Sequence, residues 1–158
     1  MSRSYAAGSG EADGDLPDVN VWLALAVQQH PHHDAAQAYW RGAAAQRLWF
    51  CRVTMLGLVR LLTQPRLMGP DALDAVSALA AYDRFAGLPE VGLYSEPLGC
   101  DTELRRLTAT GLPARLLTDA YLAAFAISAN LRLVSFDRDF TRFAGLQLLR
   151  LEPVPAAS

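Results

Sequence analysis

Two aspartates follow a short apolar segment near the end of the chain, in LVSFDRDF (residues 133–140). A buried carboxylate that lacks a partner costs several kcal/mol or takes up a proton, so packing alone does not explain acids beside a core strand. Asp137 and Asp139 therefore indicate that a positive charge binds there. Two further acids hold comparable positions: Asp18 follows the apolar segment DLP, and Asp119 begins the helical segment before LVSFDRDF.

These four acids are distant in sequence but are predicted at one edge of a sheet. In open α/β sheets, the loops after the strands bring distant residues together outside the carboxyl ends. Carboxylates that meet there repel one another unless a divalent cation neutralises them, and oxygen-only ligands suit Mg²⁺ or Mn²⁺. Such an ion polarises a phosphodiester and produces a hydroxide-like nucleophile from bound water. The pattern therefore predicts metal-dependent hydrolysis of a nucleic-acid backbone.

The elements that would position the acids alternate between strand-like and helical patterns. Strands are predicted in a short segment ending near Asp18 and in RLWFCRV, VGLYS, LRLVSF and LQLLRL. They read as continuous apolar runs, which are typical of a parallel sheet buried under helices on both faces. We therefore predict an α/β fold, a three-layer α/β/α sandwich with a central, mainly parallel sheet. Helices are predicted over Val19–Val27, from a cap at Asp34 to Arg41, in MLGLVRLLTQ after Thr54 and stopped by Pro65, from Asp71 to about Phe85, within LGCDTELRRLTA, and from Thr118 to Asn130.

Length and composition fit one globular domain. The chain has 158 residues, 52% hydrophobic and 19% charged, and no segment has the length of a membrane span or the pattern of a secretion signal, so we expect a cytoplasmic protein. The net charge of −2 argues against a generic polyanion-binding protein without excluding one. Residues 1–14 are predicted to be a disordered leader or an expression remnant, 15–153 the domain, and 154–158 a tail.

Four segments together resemble one family: LPDVNVWLAL, RVTMLGLVRLLT, TDAYLAAFA and LVSFDRDF. In this order and spacing they are similar to the PIN-domain ribonucleases, and specifically to the VapC toxins of bacterial toxin–antitoxin pairs, over essentially the whole chain after the leader. The resemblance implies a PIN-like fold and a type II toxin that cleaves RNA as a Mg²⁺- or Mn²⁺-dependent endoribonuclease. It also implies a homodimer and a small VapB-like antitoxin whose tail places a basic side chain among the acids, while the lack of a membrane span predicts no membrane association.

The resemblance also implies roles for individual residues. The catalytic acids would be Asp18, Asp119 and Asp137, which would bind the metal with Asp139 as a further, more variable ligand. Possible supporting residues are Asn20 and Thr54, which would orient ligands or water. Apart from the resemblance, Arg52 and Arg60 flank Gly57 and could hold a phosphate or accept an acidic neighbour, or they could be surface or ion-pair residues.

One acid of the family pattern is missing. The family commonly has a glutamate in the helix after the second strand, and the matching place in TMLGLVRLL is Gly57. The absence of this glutamate implies weaker metal binding, a site for a single ion, or a ligand from another residue. It also leaves open a second function, a PIN-fold module that binds RNA or protein without efficient catalysis.

The same residue types also allow ordinary structural roles and different chemistries. Asp119 could be a common acid at a helix N-terminus, and Asp18 and Asp137 could stabilise local turns. The cluster HPHHD could bind zinc, although its spacing lacks the usual helical pair or a companion CxxC and favours a solvated loop. A phosphatase-like hydrolase using Asp18 is disfavoured, because Asn20 stands where a catalytic acid is needed and all 14 basic residues are arginine.

Overall fold

The computed structural model describes residues 11–155, and its centre is a five-stranded parallel sheet. The strand order is β3-β2-β1-β4-β5, and every neighbouring pair is parallel. The prediction of an α/β fold with a parallel central sheet is therefore confirmed. The strands are β1 (Asp15–Pro17), β2 (Leu48–Phe50), β3 (Val91–Leu93), β4 (Arg132–Ser135) and β5 (Leu148–Arg150).

Helices connect the strands and cover both faces of the sheet. In the described part of the chain they are α1 (Val19–Ala26), α2 (His33–Gly42), α3 (Arg52–Leu62), α4 (Pro65–Met68), α5 (Ala75–Ala86), α6 (Cys100–Thr108) and α7 (Leu117–Ala129). Three short 3-10 helices lie at Gly69–Asp71, Ala114–Leu116 and Arg138–Arg142. None of the helices within residues 11–155 has the length and apolar character needed to cross a membrane.

Two apolar clusters hold the three layers together. Successive side chains of a strand point to opposite faces, so Leu133 of β4 packs with α6 and α7, whereas its neighbour Val134 packs with α1, α3 and α5. In the second cluster the Trp22 ring stacks on Phe50 with centroids 3.8 Å apart. Helix α7 is buried on most sides, which explains its nearly continuous apolar sequence.

Several predicted helix starts are wrong, each by a few residues. Helix α3 begins at Arg52 rather than after Thr54, because the Thr54 hydroxyl bonds back to the Cys51 backbone and closes the first turn. Helix α5 is capped by Asp74 and not by Asp71, since the Asp74 carboxylate accepts a bond from the Ser77 amide at 2.7 Å. Helices α2 and α7 begin one residue before the predicted caps, at His33 and Leu117.

The predicted domain limits stay predictions. Residues 1–10 of the predicted leader and 156–158 of the predicted tail lie outside the described residues. Asp13 donates a backbone hydrogen bond to Asn130, and Gly14 accepts one from Arg132. These two bonds connect the end of the predicted leader to β4 and the turn before it.

An ion pair between the buried Asp15 and the half-buried Arg132 joins β1 and β4 at their amino ends. Asp15 is fully buried, and its two oxygens accept bonds from Nε and Nη2 of Arg132 at 2.8 and 2.9 Å. The hydroxyl of Tyr39 and the amide of Ala45 also donate to this carboxylate. Because Asp15 and Arg132 are register partners, the pair fixes how the two central strands align.

Candidate metal centre

The carboxyl ends of β1 and β4 place acidic residues side by side. The two strands are neighbours, and the amide of Asp18 donates to the carbonyl of Val134 at 2.8 Å. Asp18 then caps α1, while Asp137 caps the 3-10 helix that follows β4. Acids from positions 18 and 137 therefore meet at one edge of the sheet, as the sequence predicted.

Three carboxylates converge closely at this edge. Asp119, in the first turn of α7, joins Asp137 and Asp139, and one oxygen from each lies within 4.8 Å of the others. Two oxygens bound to one Mg²⁺ at about 2.1 Å are separated by roughly 3 to 4 Å, so this spacing is near that of a coordinated set. The residues present therefore fit a hard divalent cation.

Asp18, also predicted as a metal ligand, is not part of this set of three, and Ser135 connects it to Asp137. The Asp18 side chain is buried, and its Oδ1 and Oδ2 accept bonds from the Val19 amide at 2.7 Å and from the Ser135 hydroxyl at 3.0 Å. The same hydroxyl accepts a bond from the Asp137 amide at 3.0 Å. Ser135 was not among the residues predicted from sequence. The only available signal was a polar residue closing an apolar strand immediately before the acids.

Within the described residues, negative charge exceeds positive charge at this cluster. Burial, together with the neighbouring charges of Asp18, Asp137 and Asp139, raises the pKa of Asp119 to about 6. Burial is also the main cause that raises the pKa of Asp18, to which Asp137 adds, while bonds from Ser135 and Val19 oppose the shift. A bound cation would relieve both effects, because it stabilises the charged form of each acid.

One arginine contacts the cluster. Arg115, in the 3-10 helix before α7, lies 3.4 Å from Oδ2 of Asp139, and its charge lowers the pKa of Asp119. Its side chain is 71% exposed, so the ion pair is weak and the guanidinium is free to turn toward another anion. No local sequence pattern indicates this role for Arg115, because its partner is 24 residues away.

The raised pKa of Asp119 predicts pH-dependent metal binding. Below about pH 6, the pKa of Asp119, the metal-free protein holds a proton on this carboxylate. A cation must displace that proton, so the affinity of the protein for the cation is expected to fall. In the unfolded chain the pKa of Asp119 has its ordinary value of 3.8. Between about pH 4 and 6 the folded protein therefore binds this proton more tightly than the unfolded chain does. Asp119 therefore favours folding at low pH, and this contribution is lost as the pH rises through 6.

Calorimetric titration of the protein with Mg²⁺ or Mn²⁺ at pH 5.0 to 7.5 checks this expectation. Release of a proton on binding at about pH 5.5 in wild type, and less release in Asp119→Asn, is the expected result. Identical proton release by both proteins would contradict it.

Comparison with known proteins identifies the family. Residues 16–146 match the model of the PIN domain, which is most of the chain. The chain belongs to the PIN domain family. Among its curated relatives, Ribonuclease VapC41 of Mycobacterium tuberculosis is 37% identical over 139 residues, covering 84% of this chain and 95% of the relative. Ribonuclease VapC33 of the same organism is 30% identical over 135 residues, covering 84% and 94%.

Solved structures share this PIN fold at lower identity. The VapBC2 complex of Rickettsia felis, bound to a DNA fragment from its promoter, aligns with a TM-score of 0.63 and 13% identity, covering 87% of this chain and 98% of the matched chain. Mycobacterium tuberculosis VapC20, described as a toxin that cleaves the sarcin–ricin loop, aligns with a TM-score of 0.62 and 16% identity, covering 84% and 98%. These likenesses support the three-layer fold.

The three possible supporting residues of the PIN site occupy different environments. Asn20 is exposed on α1 and lines a cavity that Asp137 also lines. Thr54 is buried, and its hydroxyl already bonds the Cys51 backbone, so it stabilises the start of α3. Arg60 is exposed in the last turn of α3. A direct role of any of them in metal or phosphate binding stays a prediction.

Gly57 has a packing role that the sequence did not reveal. A Cβ built on Gly57 would lie 2.7 Å from Cγ2 of Val19, the residue that follows Asp18. Val19 is β-branched and cannot turn away easily, so the glycine permits α3 to approach α1. A glutamate at this place would have to displace Val19 and with it the amide that bonds Asp18.

We expect Gly57→Ala to destabilise this PIN domain by about 1–3 kcal/mol, since overpacking outweighs the better helix propensity of alanine. The matched control is Gly42→Ala at the end of α2, where a Cβ meets nothing within 4 Å. Urea unfolding of both variants measures the difference. Equal stability of the two would show that α1 moves aside without cost.

Proposed function

We propose that this chain is the toxin component of a type II toxin–antitoxin system and acts as a Mg²⁺- or Mn²⁺-dependent endoribonuclease. The observation that carries the proposal is the meeting of Asp119, Asp137 and Asp139 within 4.8 Å at the carboxyl edge of a PIN-domain sheet. Relatives named Ribonuclease VapC, which cover most of the chain at 30–37% identity, support the same chemistry.

Each acid has a distinct task in this proposal. Asp119, Asp137 and Asp139 would hold the cation, and Asp18, anchored by Ser135 and predicted as a further metal ligand, would add negative charge that attracts the cation. The bound cation would polarise the phosphodiester and lower the pKa of a water molecule for in-line attack. Asp139 would exchange its ion pair with Arg115 for the metal, which frees the guanidinium to contact a phosphate oxygen.

The proposed partners follow from the same acidic edge. A VapB-like antitoxin would inhibit the enzyme by placing a basic side chain among the acids, because such a group replaces the charge of the cation while it blocks RNA. VapBC complexes among the structural neighbours support a protein partner of this kind. We further propose that the protein is a homodimer, that it acts in the cytoplasm and that it does not associate with membranes.

Cleavage of RNA tests the function directly. Purified protein, freed of antitoxin, is incubated with structured RNA in Mg²⁺, in Mn²⁺ or in EDTA. We expect endonucleolytic products with either ion and none in EDTA. Binding of RNA with no cleavage in either ion would refute the nuclease and favour a non-catalytic PIN module, the function that the absent glutamate left open.

A further inference from the structure

A cavity of about 580 Å³ opens directly beside the acidic cluster. It lies between α1, the loop before α2, the α4 region and the end of β4. Ser135 and Asp137 form part of its wall, so the cavity and the candidate metal centre share residues. Its volume falls within the range of small-molecule sites in proteins. An RNA strand whose phosphate lies at the acids would therefore bring a neighbouring nucleoside to this opening.

One wall of the cavity is aromatic. The rings of His32 and Phe136 stack with centroids 4.6 Å apart and planes 22° apart, and both residues are half-buried. His30 lies next to them, and its Nδ1 accepts a bond from the His32 amide at 3.0 Å. Burial lowers the pKa of His30, and the two neighbouring histidines lower it further, so this ring is neutral at pH 7. The wall thus offers flat ring surfaces beside a neutral imidazole.

The polar groups of the cavity can recognise hydrogen-bonding edges. Asn20 supplies an amide, Asp71 a carboxylate, and Nδ1 of His32 is a buried ring nitrogen without a hydrogen-bond partner in the described structure. No arginine is found among the described residues that line the cavity. Such a lining disfavours a phosphate or an acidic peptide, whereas a nucleobase has both stacking faces and amino groups that carboxylate and amide oxygens can bind.

We propose that this cavity binds one unpaired nucleobase of the RNA, stacked against the wall of His32 and Phe136 next to the phosphodiester that the acids would cleave. The proposal rests on the proposed function, since it places the substrate strand across the acidic edge. Bases with an exocyclic amino group, namely adenine, cytosine and guanine, suit the Asp71 and Asn20 acceptors better than uracil does. The cavity would thereby contribute base preference to a site whose acids recognise only the backbone.

Equilibrium binding to short RNA tests the cavity separately from catalysis. The Asp119→Asn background keeps the RNA intact, and the probes are fluorescein-labelled single-stranded hexamers of adenosine, cytidine or uridine and an abasic hexamer, measured by anisotropy in Mg²⁺. We expect the adenosine hexamer to bind about 5- to 100-fold more tightly than the abasic one, which is the range that stacking of a base contributes. Phe136→Leu and His32→Leu are expected to remove most of this difference.

Two further variants separate stacking from general damage. His32→Phe keeps a flat ring and is expected to retain most of the preference for bases. His33→Ala is the matched control, because His33 bonds the carbonyl of Ala24 and lies outside this cavity. Thermal unfolding of all variants shows whether the fold is kept.

The possible outcomes are distinct. An abasic hexamer that binds as tightly as the adenosine hexamer, or cavity variants that bind like their parent, would overturn the proposal. Unchanged RNA affinity with lost binding to the cognate antitoxin would also overturn it and assign the cavity to the protein partner. Absence of cleavage by the wild-type protein, with base-dependent binding intact, would refute the nuclease and still support the cavity.

Discussion

Replacing Asp137 with asparagine is expected to reduce RNA cleavage by more than about 100-fold while the protein stays folded. Loss of residues that only support metal ligands commonly costs 10- to 100-fold, so loss of Asp137, which we propose as a direct ligand, is expected to cost more. Asparagine keeps the Oδ1 that accepts the Asp139 amide at 2.8 Å, so the 3-10 helix keeps its cap. The substitution also removes a charge that raises the pKa of Asp119, and this change does not weaken the fold.

Initial rates on one RNA and calorimetric titration with Mg²⁺ measure the two effects of Asp137→Asn. The matched control is Asp101→Asn on α6, an exposed aspartate paired with Arg105 at the protein surface. We expect the control to cleave RNA and bind Mg²⁺ like wild type. Full activity of Asp137→Asn would show that this carboxylate is not needed for catalysis. Thermal unfolding of the variant shows whether it is folded.

The sequence predicted the sheet and the edge where the acids meet because both depend on local patterns. The segments DLP and LVSF are each followed by an aspartate, and parallel strands align their carboxyl ends, so Asp18 and Asp137 had to be neighbours once the strands were adjacent. Asp119 followed from its place in the first turn of the preceding helix. These inferences rested on periodicity, on topology and on the resemblance of the order of the acids to a family.

The contacts that the sequence did not reveal join residues far apart in the chain. Ser135 and Asp18 are 117 residues apart, as are Arg132 and Asp15, and neither local sequence distinguishes such a pair from ordinary strand residues. The close approach at Gly57 depends on how α3 crosses α1, which no periodicity encodes. The errors in the predicted helix starts have a local cause. Aspartate and threonine can both bond backbone groups at a helix start, and the sequence does not show which of several such residues is the cap.

The ion pair between the buried Asp15 and the half-buried Arg132 predicts the largest effect on stability. Arg132→Met is expected to lower the free energy of unfolding by about 3–5 kcal/mol, because it leaves the fully buried Asp15 carboxylate without its cation. Urea unfolding measures the loss. The matched control is Arg105→Met, whose pair with Asp101 is 79% and 77% exposed and is expected to contribute less than about 1 kcal/mol.

Removal of both charges distinguishes the contribution of the ion pair to stability from that of the packing around it. Asp15→Leu combined with Arg132→Met is expected to recover much of the lost stability, since a buried pair can often be replaced by apolar side chains at little cost. A loss below about 1 kcal/mol in Arg132→Met alone would contradict the prediction and show that Tyr39 and the Ala45 amide suffice to hold Asp15. The pair lies at the amino ends of β1 and β4 and the acidic cluster at their carboxyl ends, so metal affinity per folded molecule is expected to stay unchanged in both variants.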